Sequence, residues 1–215
     1  MKASKTILLL LIAVLSFTAC KNEERKAATE EQGLGEHQDT QHPLQAEPKM
    51  VFEKKVSLQN ISFLIKATGE GSVNKLSIHP EGLEIDNQPI SLELDGQVVD
   101  AEIEDLNSDG FPEVLIYTTS AGSGSYGSVI GYSVNNGKSV SPIYFPELTD
   151  NQKASIGYLG HDEFAVVETS LVRRFPIYKP GDTNSNPTGG TRQIQYKLKE
   201  GEASRVFVIN SISEY

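Results

Sequence analysis

The sequence predicts an all-β fold, an antiparallel β-sandwich with a protruding Ser/Gly-rich hairpin loop. Three observations lead there. From about Met50 onward, short segments alternate apolar and polar residues and are separated by Gly, Asn and Asp, the pattern of strands with one buried face. Glu113–Thr119, "EVLIYTT", is apolar on both faces, as a central strand is. Only "PELTDNQKA" (146–154) offers a helical turn.

Taken in order, strands are expected at "ISFLIKA" (61–67), "KLSIHP" (75–80), "ISLEL" (90–94) and "VVDAEIED" (98–105). In the last of these, Val99, Ala101 and Ile103 fall on one face, and Asp100, Glu102 and Glu104 on the other. The central strand 113–119 follows, then "SVIGYSV" (128–134), one long segment "EFAVVETSLV" (163–172), "RQIQYKL" (192–198) and "SRVFVI" (204–209). About 166 residues of this kind suffice for one core. No internal repeat shows at a fixed period, and strand order does not follow from the pattern.

The N-terminus reads differently. Lys2 and Lys5 precede an apolar run, Ile7 to Phe17, too short to span a bilayer and suited to a signal peptide over residues 1–19. Thr18-Ala19 before the sole cysteine, Cys20, resembles the lipobox of bacterial lipoproteins, with Phe17 in place of the usual Leu. That resemblance implies lipidation at Cys20 and an envelope location, on the periplasmic side of the outer membrane or at the cell surface. An ordinary secretory signal is the alternative. Residues 21–49 lack aromatics and have few aliphatics, so residues 20–49 read as a lipidated Cys and tether of roughly 30 Å reach. Residues 50–215 are the expected domain.

Without residues 1–19 the chain keeps 17 basic and 29 acidic residues, a formal charge of −12. Nucleic acid is a poor partner for such a surface, because its binding rests on neutralising phosphates. Basic partners are favoured, although an acidic surface also serves solubility. No second cysteine remains for a disulfide.

The stretch "TTSAGSGSYGSVIGYSV" (118–134) carries the candidate site. Gly122, Gly124 and Gly127 spell G-x-G-x-x-G, but a dinucleotide site needs a helix to follow, and here a strand follows. Neither Ser123 nor Ser125 has Gly two places away on both sides in a G-x-S-x-G elbow. A serine nucleophile also needs a base. His37 and His42 lie in the tether, His79 before Pro80, and His161 in "LGHDEF", none with a local signature. The chain is not expected to be an enzyme or to require a cofactor. The block "SAGSGSYG" is either a loose glycine turn or a thin protrusion whose hydroxyls donate and accept. Such a finger suits a cleft holding one protonated and one ionised carboxyl, as glycoside hydrolases have.

The segment "DLNSDGFPEVLIYTTSAGSGSYGSVIGYSVNNGKS" (105–139), with "RRFPIYKPGDTNSNPTGGTRQIQYKL" (173–198), resembles the periplasmic inhibitors of invertebrate-type (i-type) lysozyme. In that family an S-G-x-Y loop enters the lysozyme cleft; here the pattern falls on Ser123-Gly124-Ser125-Tyr126. The resemblance implies that Ser123 and Tyr126 bond to catalytic groups and that Gly124 permits the turn. It also implies a lysozyme partner and extends the family's dimers to this chain. The N-terminal half does not match residue by residue.

"DLNSDGFPE" is a second constellation. Asp105, Asn107, Asp109, the Phe111 carbonyl and Glu113 are spaced like a Ca²⁺ loop, but no Glu stands at position 12 and a strand follows, so it is not an EF-hand. A structural Ca²⁺ loop and an Asx turn are the two readings. One strand separates this turn from the Ser/Gly tip, roughly 23 Å. Arg173, Arg174 and Arg192 either pair with surface carboxylates or line a rim or dimer face. Two functions therefore stand: a lysozyme inhibitor, and a structural, glycan- or partner-binding envelope domain. A hydrolase requires His161 to meet a loop serine.

Overall fold

A computed structural model describes residues 49–215; the signal segment, Cys20, His37, His42 and nearly all of the tether lie outside them. The fold is an all-β sandwich of three antiparallel sheets, each a meander of four consecutive strands. The first holds β1 (Met50–Leu58), β2 (Ile61–Glu70), β3 (Val73–Glu81) and β4 (Ile90–Asp95). The second holds β5 (Gln97–Glu104), β6 (Glu113–Thr119), β7 (Gly127–Asn135) and β8 (Ser139–Ile143). The third holds β9 (Glu163–Val167), β10 (Ser170–Pro176), β11 (Thr191–Lys199) and β12 (Val206–Glu214).

The expected helical turn is present as a 3₁₀ turn, Leu148–Asp150, and one α-turn, α1 (Gln152–Ser155), where the Asn151 side chain accepts the Ala154 N–H. The expected strand 163–172 is two strands. Glu168, at φ 53°, and Thr169 form a tight reversal inside it, so β9 and β10 pair antiparallel. Two strands escaped sequence reading: β1, whose outer face is charged, and β8, which is short and contains Pro142. Gln59 and Asn60, both at positive φ, make the two-residue turn between β1 and β2 that suits a right-twisted hairpin.

Two cores, one on each side of the second sheet, hold the layers together. Phe63, Ile65, Leu76 and Ile78 of the first sheet pack against Ala101, Val114, Ile116, Tyr132 and Val134. Leu115, Tyr117, Val129 and Ile143 pack against Leu171, Phe175, Ile194, Tyr196, Leu198 and Phe207 of the third. Successive β6 side chains therefore enter different cores, which is why both faces of that strand are apolar.

In β5 the expected alternation fails at one place. A bulge between Val98 and Asp100 leaves Val99 59% exposed and turns Val98 toward the core instead. Glu102, expected on a solvated face, accepts the Tyr117 hydroxyl (2.5 Å) and the β9 Val166 N–H (2.8 Å). It therefore ties the second sheet to the third.

Glu113 opens β6 and is fully buried. It accepts the Leu106 N–H (2.8 Å) and the Ser133 hydroxyl (2.5 Å). Burial raises its pKa to about 7, assisted by the Asp109 charge and opposed by those hydrogen bonds and Arg205. The folded state thus holds a proton that the unfolded chain releases near pH 4.5. The contribution of this group to stability is complete below that value. It declines as pH rises to about 7, by about 3 kcal/mol at most, and is flat above. Glu113→Gln is expected to remove that decline. Denaturant melts of both proteins from pH 4 to pH 8 test it, and parallel curves would contradict the assignment.

Candidate functional site

The β6–β7 connection, Ser120–Tyr126, is a closed turn and not a loose glycine strand. Ser125 donates its N–H to the Gly122 carbonyl (3.1 Å), and Ser120 donates to the Tyr126 carbonyl (2.8 Å). Tyr126 N–H returns a bond to Ser120 Oγ (3.1 Å). The positive φ falls on Ser125, at 45°, and not on Gly124. Gly124 is needed for a different reason than the turn. A Cβ there would lie 2.4 Å from the Tyr126 ring, which folds over it.

The tip is also braced from the third sheet's connections. Gly124 O accepts the His161 N–H (2.8 Å), and Ser123 O accepts the Asn184 side-chain amide (2.8 Å). At the loop's far end, Gly127 N–H donates to Asp162 Oδ2 (2.7 Å). Tyr126 sits edge-on to Tyr158, with ring centroids 5.6 Å apart. Gly160 permits this docking: at φ +89°, a Cβ would stand 1.9 Å from Gly124 O. What remains open to solvent is the outer side of the turn. Ala121, Gly122 and Ser123 are exposed, and Tyr126 is 47% exposed.

Beneath the loop lies a buried charge network. Arg173 on β10 donates from Nε to Asp162 Oδ1 (2.6 Å) and from Nη2 to Tyr158 Oη (2.7 Å). Tyr158 Oη donates to Asp162 Oδ2 (2.6 Å). The Arg173 and Asp162 side chains are 4% and 0% exposed. The guanidinium carbon stands 5.0 to 5.9 Å from the ring centres of Tyr158, Phe164, Phe175 and Phe145. Burial alone would lower the Arg173 pKa, but the hydrogen bond and charge of Asp162 raise it. Tyr158 is pushed up by burial and by its bond to Asp162.

The other sequence candidates fall as follows. Arg192 is buried; it bonds Glu214 (2.6 Å) and the Ala154 and Ile156 carbonyls, closing the chain that leads from α1 to the Tyr158–Asp162 segment. Arg174 bonds Gln193 (2.7 Å). Both Arg173 and Arg192 pair with carboxylates: Arg192 reaches from a buried position to the exposed Glu214, whereas the Arg173–Asp162 pair lies wholly in the interior. His161 comes beside the tip, where its ring Nε2 meets Asn184 Oδ1 (3.1 Å) and its backbone holds Gly124. His79 meets Ser77 Oγ at 3.3 Å, far along the chain from the tip.

The Asp105 turn stands at the other end of β6. Asp105 accepts the Asp109 and Gly110 N–H groups, Asn107 Oδ1 accepts the Asp109 N–H, and Asp109 accepts the Phe111 N–H. Asp109 Oδ2 also bonds Arg205 (2.9 Å), and Glu113 turns inward. These are Asx-turn bonds that close the loop on its own backbone. Among the described residues no group of three or more His, Cys, Asp or Glu is arranged to hold a metal.

Sequence reading missed Asp162, Tyr158, Gly160 and Asn184. "YLGHDEF" offered a Gly-His-Asp turn and "DTNSNPT" an Asx-rich loop, but nothing local says that both pack on the 120–126 turn. Comparison with protein-family models, with curated proteins and with solved structures finds no match for the chain.

Removing one member of a buried pair leaves the other charge uncompensated. Asp162→Ala is expected to cost about 3–5 kcal/mol, and Asp162→Ala with Arg173→Leu to recover much of it. Urea melts of the two variants check this; equal losses would mean that the pair's charges are not what couples them.

Proposed function

We propose that this protein is an inhibitor of lysozyme, of the i-type, anchored in the bacterial envelope, and that the 120–127 turn enters the enzyme's cleft. The observation that carries the reading is the division of labour in the turn. Its carbonyls at Ser123 and Gly124 and its Gly127 N–H are held from behind, while the Ser123 and Tyr126 side chains face solvent. A turn already ordered loses little conformational entropy on binding. Two hydroxyls that donate or accept suit a carboxyl pair of mixed protonation. With no glycosidic bond to cleave, the turn would occupy the cleft reversibly and stoichiometrically.

The S-G-x-Y resemblance supports the same reading, as does the −12 charge of the mature chain, which draws a cationic enzyme. The protein requires no cofactor for this and performs no catalysis. The test is lysis of peptidoglycan by i-type, c-type and g-type lysozymes with residues 50–215 added. Ser123→Ala/Tyr126→Ala, confirmed folded, runs beside it. Block of the i-type enzyme, lost by at least about a hundredfold in the double variant, is the expected result. If no lysozyme is slowed at a protein excess, the alternative is favoured: a structural or glycan-binding envelope domain.

Calcium at the Asp105 turn is a separate proposal, supported by the spacing of Asp105, Asn107, Asp109, Phe111 and Glu113. Binding there would have to displace Arg205 from Asp109 and turn Glu113 away from the Leu106 N–H and Ser133 hydroxyl that it accepts. A melting temperature that rises with Ca²⁺ and falls with EDTA, at unchanged inhibition, is the expected outcome. Indifference of the melt to both would reject the ion.

A further inference from the structure

The loop is flanked by a cleft of about 470 Å³, opening between its stem, the β4–β5 corner and the 3₁₀ turn. Asp95, at the end of β4, and Glu147, before the 3₁₀ turn, line it together with Ser120, Ser128 and Thr149, and Arg173 contributes to the wall. Both carboxylates are exposed, and neither pairs with a cation among the described residues. The Arg173 charge is already matched by Asp162 inside the fold. The cleft thus presents two uncompensated negative charges and a set of hydroxyl acceptors, immediately beside the exposed Tyr126.

We infer that this cleft receives a basic side chain, a lysine or arginine, of the protein bound by the turn. The inference rests on the inhibitor reading for the identity of that protein, but not for the chemistry of the cleft. An ammonium or guanidinium finds charge partners at Asp95 and Glu147, and its remaining N–H groups find hydroxyl oxygens. A carboxylate ligand would meet two like charges. A neutral sugar would match the hydroxyls but leave both carboxylates unneutralised. The turn then supplies the shape that enters the partner, and the cleft supplies a second, electrostatic contact that fixes its orientation and speeds its arrival.

Two measurements separate this from the inhibitor reading. In the first, the domain is titrated with arginine amide while the amide signals of Ser128 and Thr149 are followed by NMR. They are expected to move, and to stay still in Asp95→Asn/Glu147→Gln. Signals that ignore arginine amide, or move only with an N-acetylglucosamine oligosaccharide, overturn the inference. In the second, association of the double variant with i-type lysozyme is expected to be about tenfold slower at low salt and to converge with wild type at high salt. An unchanged rate with inhibition intact removes the cleft and leaves the inhibitor. Arginine amide binding with no lysozyme inhibited leaves the cleft and removes the inhibitor.

Discussion

The arrangement at the tip depends on a single buried ion pair. Arg173 and Asp162 are both buried, and each would be costly alone. Their positions are set by different elements: Arg173 by β10, Asp162 by the connection into β9. Because Asp162 spends its second oxygen on Tyr158 Oη and Gly127 N–H, the pair fixes a third element, the start of β7. Four aromatic rings around the guanidinium keep the site dry, which strengthens the attraction and makes any departure from the geometry expensive. A turn built of Ser, Gly and Ala around one Tyr has little apolar surface of its own to hold it. The interior network supplies the order that its composition lacks.

The sheets explain why this network can sit directly under the turn. Register places one end of β5, the end of β6 and the start of β7 together, since Gln97 pairs with Thr119 and Thr119 with Gly127. Gly96, in the β4–β5 corner, bonds Ser72 at the β2–β3 turn. Met50 pairs with Thr68, so the start of the described chain lies at this end as well.

Much of the fold was legible because strand signals are local. β6 was recognisable to the residue, since burial in two cores demands apolar residues on both faces. β2, β3, β4 and β11 followed from alternation of period two. The third sheet's first hairpin was not, because "ETS" carries no Gly, Pro or Asn to announce a reversal; Glu168 is driven to positive φ by the pairing around it. Val99 was misassigned for a related reason. A bulge puts Val98 in the core in place of Val99 while Ala101 and Ile103 keep their expected face, and nothing in the spelling marks it. The threefold repetition of a four-stranded meander leaves no trace at the level of letters, since only the topology recurs.

The site divided along the same line. Its exposed part, Ser123 to Tyr126, is contiguous and so was visible as a pattern. Its supporting part joins residues 35 and more positions apart, Gly127 to Asp162 and Ser123 to Asn184. "RRF" gave two adjacent arginines of the same charge, yet alternation along β10 sends Arg173 inward and Arg174 to the side where it meets Gln193. Only the register of β10 decides which of the two carries the network. A reading of the sequence can therefore name the exposed residues of a candidate contact, because they sit together in the chain. The residues that make such a contact rigid are chosen for geometry across sheets, and they become visible only once the sheets are paired.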